Sequence, residues 1–243
     1  MIGRSALALA RAYENDDGNS ATNGEFRILD ALRTADISTV FDVGAHHGEW
    51  AEYAARAFPG ARVWAFEIEP SARAELERRV RGNRRVTVVP FGLADKSGEL
   101  VVHVDKNHPM MTSAVNWDAD RREPVLCRVE SGDAFLASQG IDRIDFLKVD
   151  VEGLDHSVLR GLTRSLADER VGIIQFEFTQ WAAITKTALR DFYELLEPAG
   201  FTIGKVFPTF VDWRAYALEH EIYVRANFLA VHRSRRSVIE LLG

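Results

Sequence analysis

The sequence predicts an α/β fold built on a mostly parallel sheet with helices on both faces. Three features predict it. Short apolar runs alternate with helical runs from Thr39 onward. The first of these, Thr39 to Val43, breaks at Gly44 and Gly48 and feeds straight into a helix, the strand-turn-helix of nucleotide-binding folds. Asp42, Glu67, Asp150 and Glu177 all fall near strand carboxyl ends, the edge at which such sheets hold ligands. At 243 residues the chain fits one large domain carrying one insertion.

Residues 1–24 form a polar leading segment, with Asn15 to Ser20 reading as a loop, and the domain proper spans 25–243. A helix from about Glu25 to Thr34 precedes the first strand and either folds over a ligand or simply packs. After Val43, apolar residues recur at Trp50, Tyr53, Ala54, Ala57 and Phe58, one face at helical spacing, until Pro59-Gly60 stops the helix. The second strand, Arg62 to Phe66, ends on Glu67. Pro70 turns the chain into a charged helix, Ser71 to Arg81, and Val86 to Val89 is a third strand with the continuous apolar character of a buried parallel sheet. Right-handed crossovers put the three in one sheet. Phe91-Gly92-Leu93-Ala94-Asp95 reads as the loop at the third strand's carboxyl end.

There the alternation of strand and helix is interrupted. Glu99 to Val104 and Val125 to Val129 read as a half-exposed hairpin, an insertion over about 99–130. Its polar middle, Asp105 to Pro124, contains His108, Met110, Met111, Thr112, Ser113 and Trp117, and its length points to an acceptor-side flap or to disorder. Ser131 to Gln139 is a short helix, Ile144 to Val151 the next core strand, Asp155 to Leu166 a helix and Val171 to Phe178 another strand. A lysine inside a core strand is costly unless paired; at period 2, Lys148 and Asp150 point to one side and can compensate each other. A helix from about Thr187 to Glu197 and two strands, Phe201 to Phe207 and Asn227 to His232, finish the sheet. Between those strands lies an aromatic segment with Phe210, Trp213, Tyr216 and Tyr223.

Glu67 stands 23 positions after Gly44, near where a ribose-binding carboxylate falls in a dinucleotide fold, so an adenosine-bearing ligand is expected. Its nature follows from what is missing. G-x-G-x-x-G needs glycine at 46 and 49, where this chain has His46 and Glu49, and a carboxylate at a helix start opposes a pyrophosphate. S-adenosylmethionine carries no phosphate. Asp42 suits its cationic groups and the helix N-terminus its carboxylate. The expected cofactor-binding residues are Asp42, Gly44, Ala45, His46, Gly48, Glu67, Ile68 and Leu93, with adenine near the 91–95 loop. The plainer alternative is an ordinary strand-to-helix turn; turn and downstream acid together weigh against it.

Composition narrows the partners. With 47% hydrophobic and 27% charged residues the chain reads as globular and soluble. A net charge of −6 leaves no electrostatic footprint for nucleic acid, and Arg233, Arg235 and Arg236 read as a solvated edge. Cys127, the single cysteine, cannot close an internal disulfide, and no Cys/His spacing suggests zinc. The Ala6 to Ala10 run, flanked by Arg4 and Arg11, is too short for a secretory core or a bilayer span, so a cytoplasmic protein is expected, with no membrane partner. Oligomeric state stays open.

Taken together, Asp42-Val43-Gly44-Ala45-His46-His47-Gly48, Phe66-Glu67 with Pro70, Gly92 to Gly98, Asp145-Phe146-Leu147-Lys148-Val149-Asp150-Val151-Glu152-Gly153 with Val158 to Gly161, and Asn227 to Val231 resemble the FkbM family of S-adenosylmethionine-dependent methyltransferases. The resemblance runs from about Phe26 to His232 and rests most on Lys-x-Asp-Val-Glu-Gly. It implies a Rossmann-like class I methyltransferase fold, with a seven-stranded sheet and an inserted β-hairpin, and O-methylation of a hydroxyl on a sugar, glycan or glycosylated natural product. His46 departs from the family's usual asparagine, and its protonation would make binding sensitive to pH. A hydroxyl needs its proton removed, and Asp150 is the expected general base, though it reads equally as the ion-pair partner of Lys148. Glu177 with Asp150 gives a weak signature for magnesium. His103, His108 and His156 show no ligand spacing.

Other readings are another small-molecule acceptor and a non-catalytic S-adenosylmethionine-binding module. A nicotinamide oxidoreductase is disfavoured by His46 and Glu49. A base-modifying nucleic-acid methyltransferase would want a basic face and an Asn/Asp-Pro-Pro-Tyr/Phe loop, and neither is present.

Overall fold

Residues 9–105 and 122–243 are described in the structure, a computed structural model. The predicted strands richest in apolar residues become the centre of the sheet. β1 (Thr39–Val43), β2 (Arg62–Phe66), β3 (Val86–Val89), β7 (Ile144–Val149) and β8 (Val171–Phe178) pair in parallel in the order β8-β7-β1-β2-β3. β11 (Ala226–His232), β9 (Phe201–Val206) and β10 (Val211–Trp213) extend the sheet beyond β8 with antiparallel pairings. The sheet therefore has eight strands, not the expected seven. The eighth, β10, lies inside the aromatic segment, where Val211 pairs with Val206.

The insertion also differs from its reading as a lone hairpin. Gly92–Ala94 is a short strand, β4, parallel to β6 (Arg122–Ser131), which pairs on its other side with β5 (Gly98–Asp105). The expected 91–95 loop is thus the third strand of a small second sheet. The flap residues His108, Met110, Met111, Thr112, Ser113 and Trp117 lie outside the described residues.

Helices fill both faces. On one side α1 (Glu25–Ala31), α2 (Glu49–Ala57) and α9 (Arg236–Leu242) bury Leu29, Ala54 and Val238 against Val40, Phe146 and Leu229. α3 (Pro70–Arg79) joins them through Leu76; Pro70 opens it, and the Glu69 carboxylate caps Ser71 N and Ala72 N. On the other side α4 (Gly132–Gln139), α5 (Asp155–Arg160), α6 (Thr163–Ala167), α7 (Trp181–Thr185) and α8 (Leu189–Leu196) cover Phe41, Leu147, Ile174 and Phe176. Phe135 of α4 meets Phe41, Trp64, Phe66 and Phe91 at centroid separations of 5.8, 5.3, 4.9 and 5.9 Å, tying the end of the insertion to the sheet.

The helix expected over Asp155 to Leu166 is two. At Gly161 an added Cβ would stand 2.0 Å from Ala94 O, so the chain there is pressed against β4. The Asp133 carboxylate then caps the restart by accepting Arg164 N and Ser165 N at 2.9 and 3.0 Å. The leading residues belong to the fold as well. Asn15 Nδ2 donates to Val206 O at 3.1 Å, and Lys205 pairs with Glu14. No helix among the described residues is long and apolar enough to cross a membrane.

Candidate active site

The cleft is made where β1 and β7 end. The chain leaves Val43 through Gly44 at φ 84°, and a Cβ there would lie 1.9 Å from Asp150 O, so only glycine permits the two strand ends to touch. Gly44 N and Ala45 N both donate to Phe66 O, which ties the turn to β2. His46 follows at φ 47°, a conformation costly for a side-chain-bearing residue, and its N–H donates to Glu67 Oε2 at 2.7 Å. Glu69 N donates to the other oxygen, Oε1, at 2.8 Å. Glu67 therefore joins two loops. Burial raises its pKa to about 7, against the pull of those two N–H groups.

The resulting cavity has a volume of about 250 Å³. Of the residues expected to bind cofactor, Gly44, His46, Glu67, Ile68 and Leu93 line it, and so does Asp150. Ala45 and Gly48 do not. Gly48 instead starts α2 at φ 82°, where a Cβ would meet Leu76 Cδ1 at 2.4 Å. Leu100 and Val102 of β5 and Val129 of β6 also face the cavity, so the insertion's strands wall the same apolar end as Ile68 and Leu93. The sequence signal for this was the alternation along Glu99 to Val104, which sets Leu100 and Val102 on one side.

Asp42 corrects an expectation. Its side chain is wholly buried beneath the cleft and not on its lining, and it faces Lys148 Nζ at 3.8 Å. Burial lifts its pKa to about 6, with Lys148 opposing. Glu49 corrects another: it is exposed and held by Arg79 at 3.1 Å, so the objection to a pyrophosphate rests on His46 instead. Burial and neighbouring His47 lower the His46 pKa, which keeps its ring neutral near pH 7 and moves any protonation effect to the acid side.

The Lys148–Asp150 pair foreseen from spacing is present, Nζ to Oδ2 at 3.1 Å. Glu177 faces Arg225 at 3.5 Å; burial first, and then Asp150, push its pKa well above the carboxylate range. Sequence reasoning missed Asp155, which is buried at the start of α5 and accepts Glu177 N at 3.2 Å and Val151 N at 3.4 Å. Burial raises its pKa well above normal too. Glu152 at φ 53° and Gly153 at φ 94° shape the turn between Asp150 and α5. Among the described residues no group of three or more His, Cys, Asp or Glu is arranged to hold a metal ion.

The family model described as the methyltransferase FkbM domain matches residues 42–220, from β1 to beyond β10. The chain belongs to the FkbM methyltransferase family. A curated relative, methyltransferase sdnD of Sordaria araneosa, is 28% identical over 154 residues, 51% of this chain and 60% of that protein. A crystal structure of methyltransferase FkbM from Methylobacillus flagellatus KT aligns with TM-score 0.52 and 19% identity over 80% of this chain and 44% of that one, and shows the shared fold. The chain spans less than two thirds of the length of each of these two relatives.

Proposed function

We propose that this FkbM methyltransferase moves a methyl group from S-adenosylmethionine to a hydroxyl of a sugar, glycan or glycosylated small molecule, with Asp150 as general base. The observation that carries the reading is the single cleft that runs from Ile68 and Leu93, past Glu67, to Asp150. Its chemistry suits the cofactor in order: apolar walls for adenine, a carboxylate for the ribose hydroxyls, acids for the cationic end. Each Glu67 oxygen already accepts one N–H and keeps a lone pair for a ribose hydroxyl. The left-handed turn from Gly44 to His46 brings backbone rather than side chain against the ligand.

When bound, S-adenosylmethionine supplies a methyl carbon made electrophilic by its sulfonium. The protein's part is alignment and proton removal. Glu67 would hold the ribose, the 150–154 turn would border the transfer point, and Asp150 would accept the hydroxyl proton as the C–O bond forms and the methyl–sulfur bond breaks, with neutral S-adenosylhomocysteine as the leaving group.

Titration calorimetry with S-adenosylmethionine and a labelled-methyl assay over a panel of glycosides test the reading. Asp150→Asn should keep cofactor affinity within about twofold and lose roughly 10²–10⁴ in turnover. Wild-type turnover in that variant would remove Asp150 as base, and an absence of heat with the cofactor would remove the cleft assignment.

A further inference from the structure

On the sheet face covered by α1, α2 and α9, the inward residues are apolar until the last layer before the carboxyl edge, and there they change character. Along the strands Val40 gives way to Asp42, Phe146 to Lys148, Ile173 to Gln175 and, running the other way, Leu229 to Asn227. All four polar residues are buried. Strand register sets Asp42 beside Lys148 and Lys148 beside Gln175. Glu25, at the start of α1, completes the row: its carboxylate accepts Gln175 Nε2 at 2.7 Å and Asn23 Nδ2 at 2.8 Å.

A packed sheet has no structural need for such a layer. Apolar residues of similar volume would be at least as stable, because buried charges give up their hydration and regain it only through good partners. The member of the row bonded to a residue of the cleft is Lys148, through Asp150. Asp42 Oδ1 lies 3.8 Å from its ammonium on one side and Asp150 Oδ2 lies 3.1 Å away on the other, with the Trp50 ring centroid at 5.9 Å. Burial opposes the ammonium's charge, yet Asp150, Asp42 and Glu25 together hold its pKa above the usual lysine range. Its charge is therefore constant across the working pH of the protein.

We propose that Lys148 is a positioning residue for methyl transfer: anchored by Asp42 beneath the cleft, it grips one oxygen of Asp150 and so fixes the orientation in which the other meets the acceptor hydroxyl. The inference rests on Asp150 as the base. A carboxylate tethered at one oxygen loses its freedom to swing about the side-chain bonds, and a misplacement of about 1 Å in a reacting group costs on the order of 10²-fold in rate. This role explains why the polar layer stops at the strand that carries Lys148's neighbour, Asp42, and does not continue into β2, where Ala65 takes the corresponding place.

The test uses Lys148→Met and the double variant Asp42→Asn/Lys148→Met. The second removes both members of the buried pair, so it folds even if a solitary Asp42 charge unfolds the first. Crystal structures of the ligand-free variants and wild type are compared at the Asp150 side chain, a readout that needs no acceptor. The expected result is a displaced or doubled Asp150 rotamer. With a glycoside from the panel, kcat should fall by 10- to 100-fold while acceptor KM and cofactor affinity stay within about twofold. An Asp150 side chain unmoved in both folded variants would overturn the inference. So would full turnover by Asp150→Asn, but that result strikes the base itself, whereas an unmoved Asp150 strikes only the part given to Lys148.

Discussion

Glu67 accepts two backbone N–H groups and still has its pKa lifted to about 7, because burial outweighs them. An ionised carboxylate is the stronger acceptor for ribose hydroxyls. Cofactor affinity measured by calorimetry should therefore rise between pH 6 and pH 8, and Glu67→Gln should flatten that part of the profile. Glu67→Ala should weaken binding by roughly 10- to 100-fold, since one charged hydrogen-bond partner is worth about 1.5–3 kcal/mol. Unchanged affinity in Glu67→Ala would count against the ribose assignment. At this scale the sequence was a good guide wherever spacing alone decides: the Lys148–Asp150 pair follows from the two-residue period of a strand. It misled at Asp42, because period 2 gives the side of the strand but not whether that side is open cleft or closed under α1 and α2.

Among the elements, those bounded by local chemistry lie where the sequence put them. β1, β2 and β3 carry their own apolar runs, and α3 carries its own Pro70 start and Glu69 cap. The elements that differ are the ones defined by contact with distant residues. β4 is a strand because β6 lies beside it, and α5 and α6 separate because Ala94 O presses on Gly161 and Asp133 caps from another helix. Gly161→Ala should lower stability by about 1–3 kcal/mol in denaturant melts, the usual cost of forcing atoms into a packed site. Phe135→Ala should cost about 3–5 kcal/mol, because it removes the ring that four other aromatics surround. Values near zero at both positions would mean that the insertion is not anchored to the sheet as described.

For the molecule as a whole, the acids gathered at the carboxyl edge set a pH trend. Burial raises Asp42 to about 6, Glu67 to about 7, and Asp155 and Glu177 well above the carboxylate range. Each folded pKa exceeds its unfolded value, so the folded state binds more protons, and these groups favour folding fully below about pH 4 and progressively less as pH rises through 6 to 7. The lowered Glu69 and Asp145 work in the opposite sense, but at lower pH. The melting temperature of the ligand-free protein should thus fall between pH 6 and pH 8, and saturating S-adenosylmethionine, bound in the cleft that Glu67 lines, should restore more of it at pH 8 than at pH 6. A flat profile without ligand would show the acids are not buried as charges.

The architecture of strands around a Gly44 turn was legible from residue order, and the family with it; the roof formed by β5 and β6 was not, because nothing local says which cavity a hairpin will cover. The most direct check is a crystal structure with S-adenosylhomocysteine soaked in. The ribose hydroxyls should lie within 3.2 Å or so of Glu67, adenine between Ile68 and Leu93, and the sulfur nearest Asp150. A vacant cleft, or the nucleoside bound at any other surface, would contradict the account.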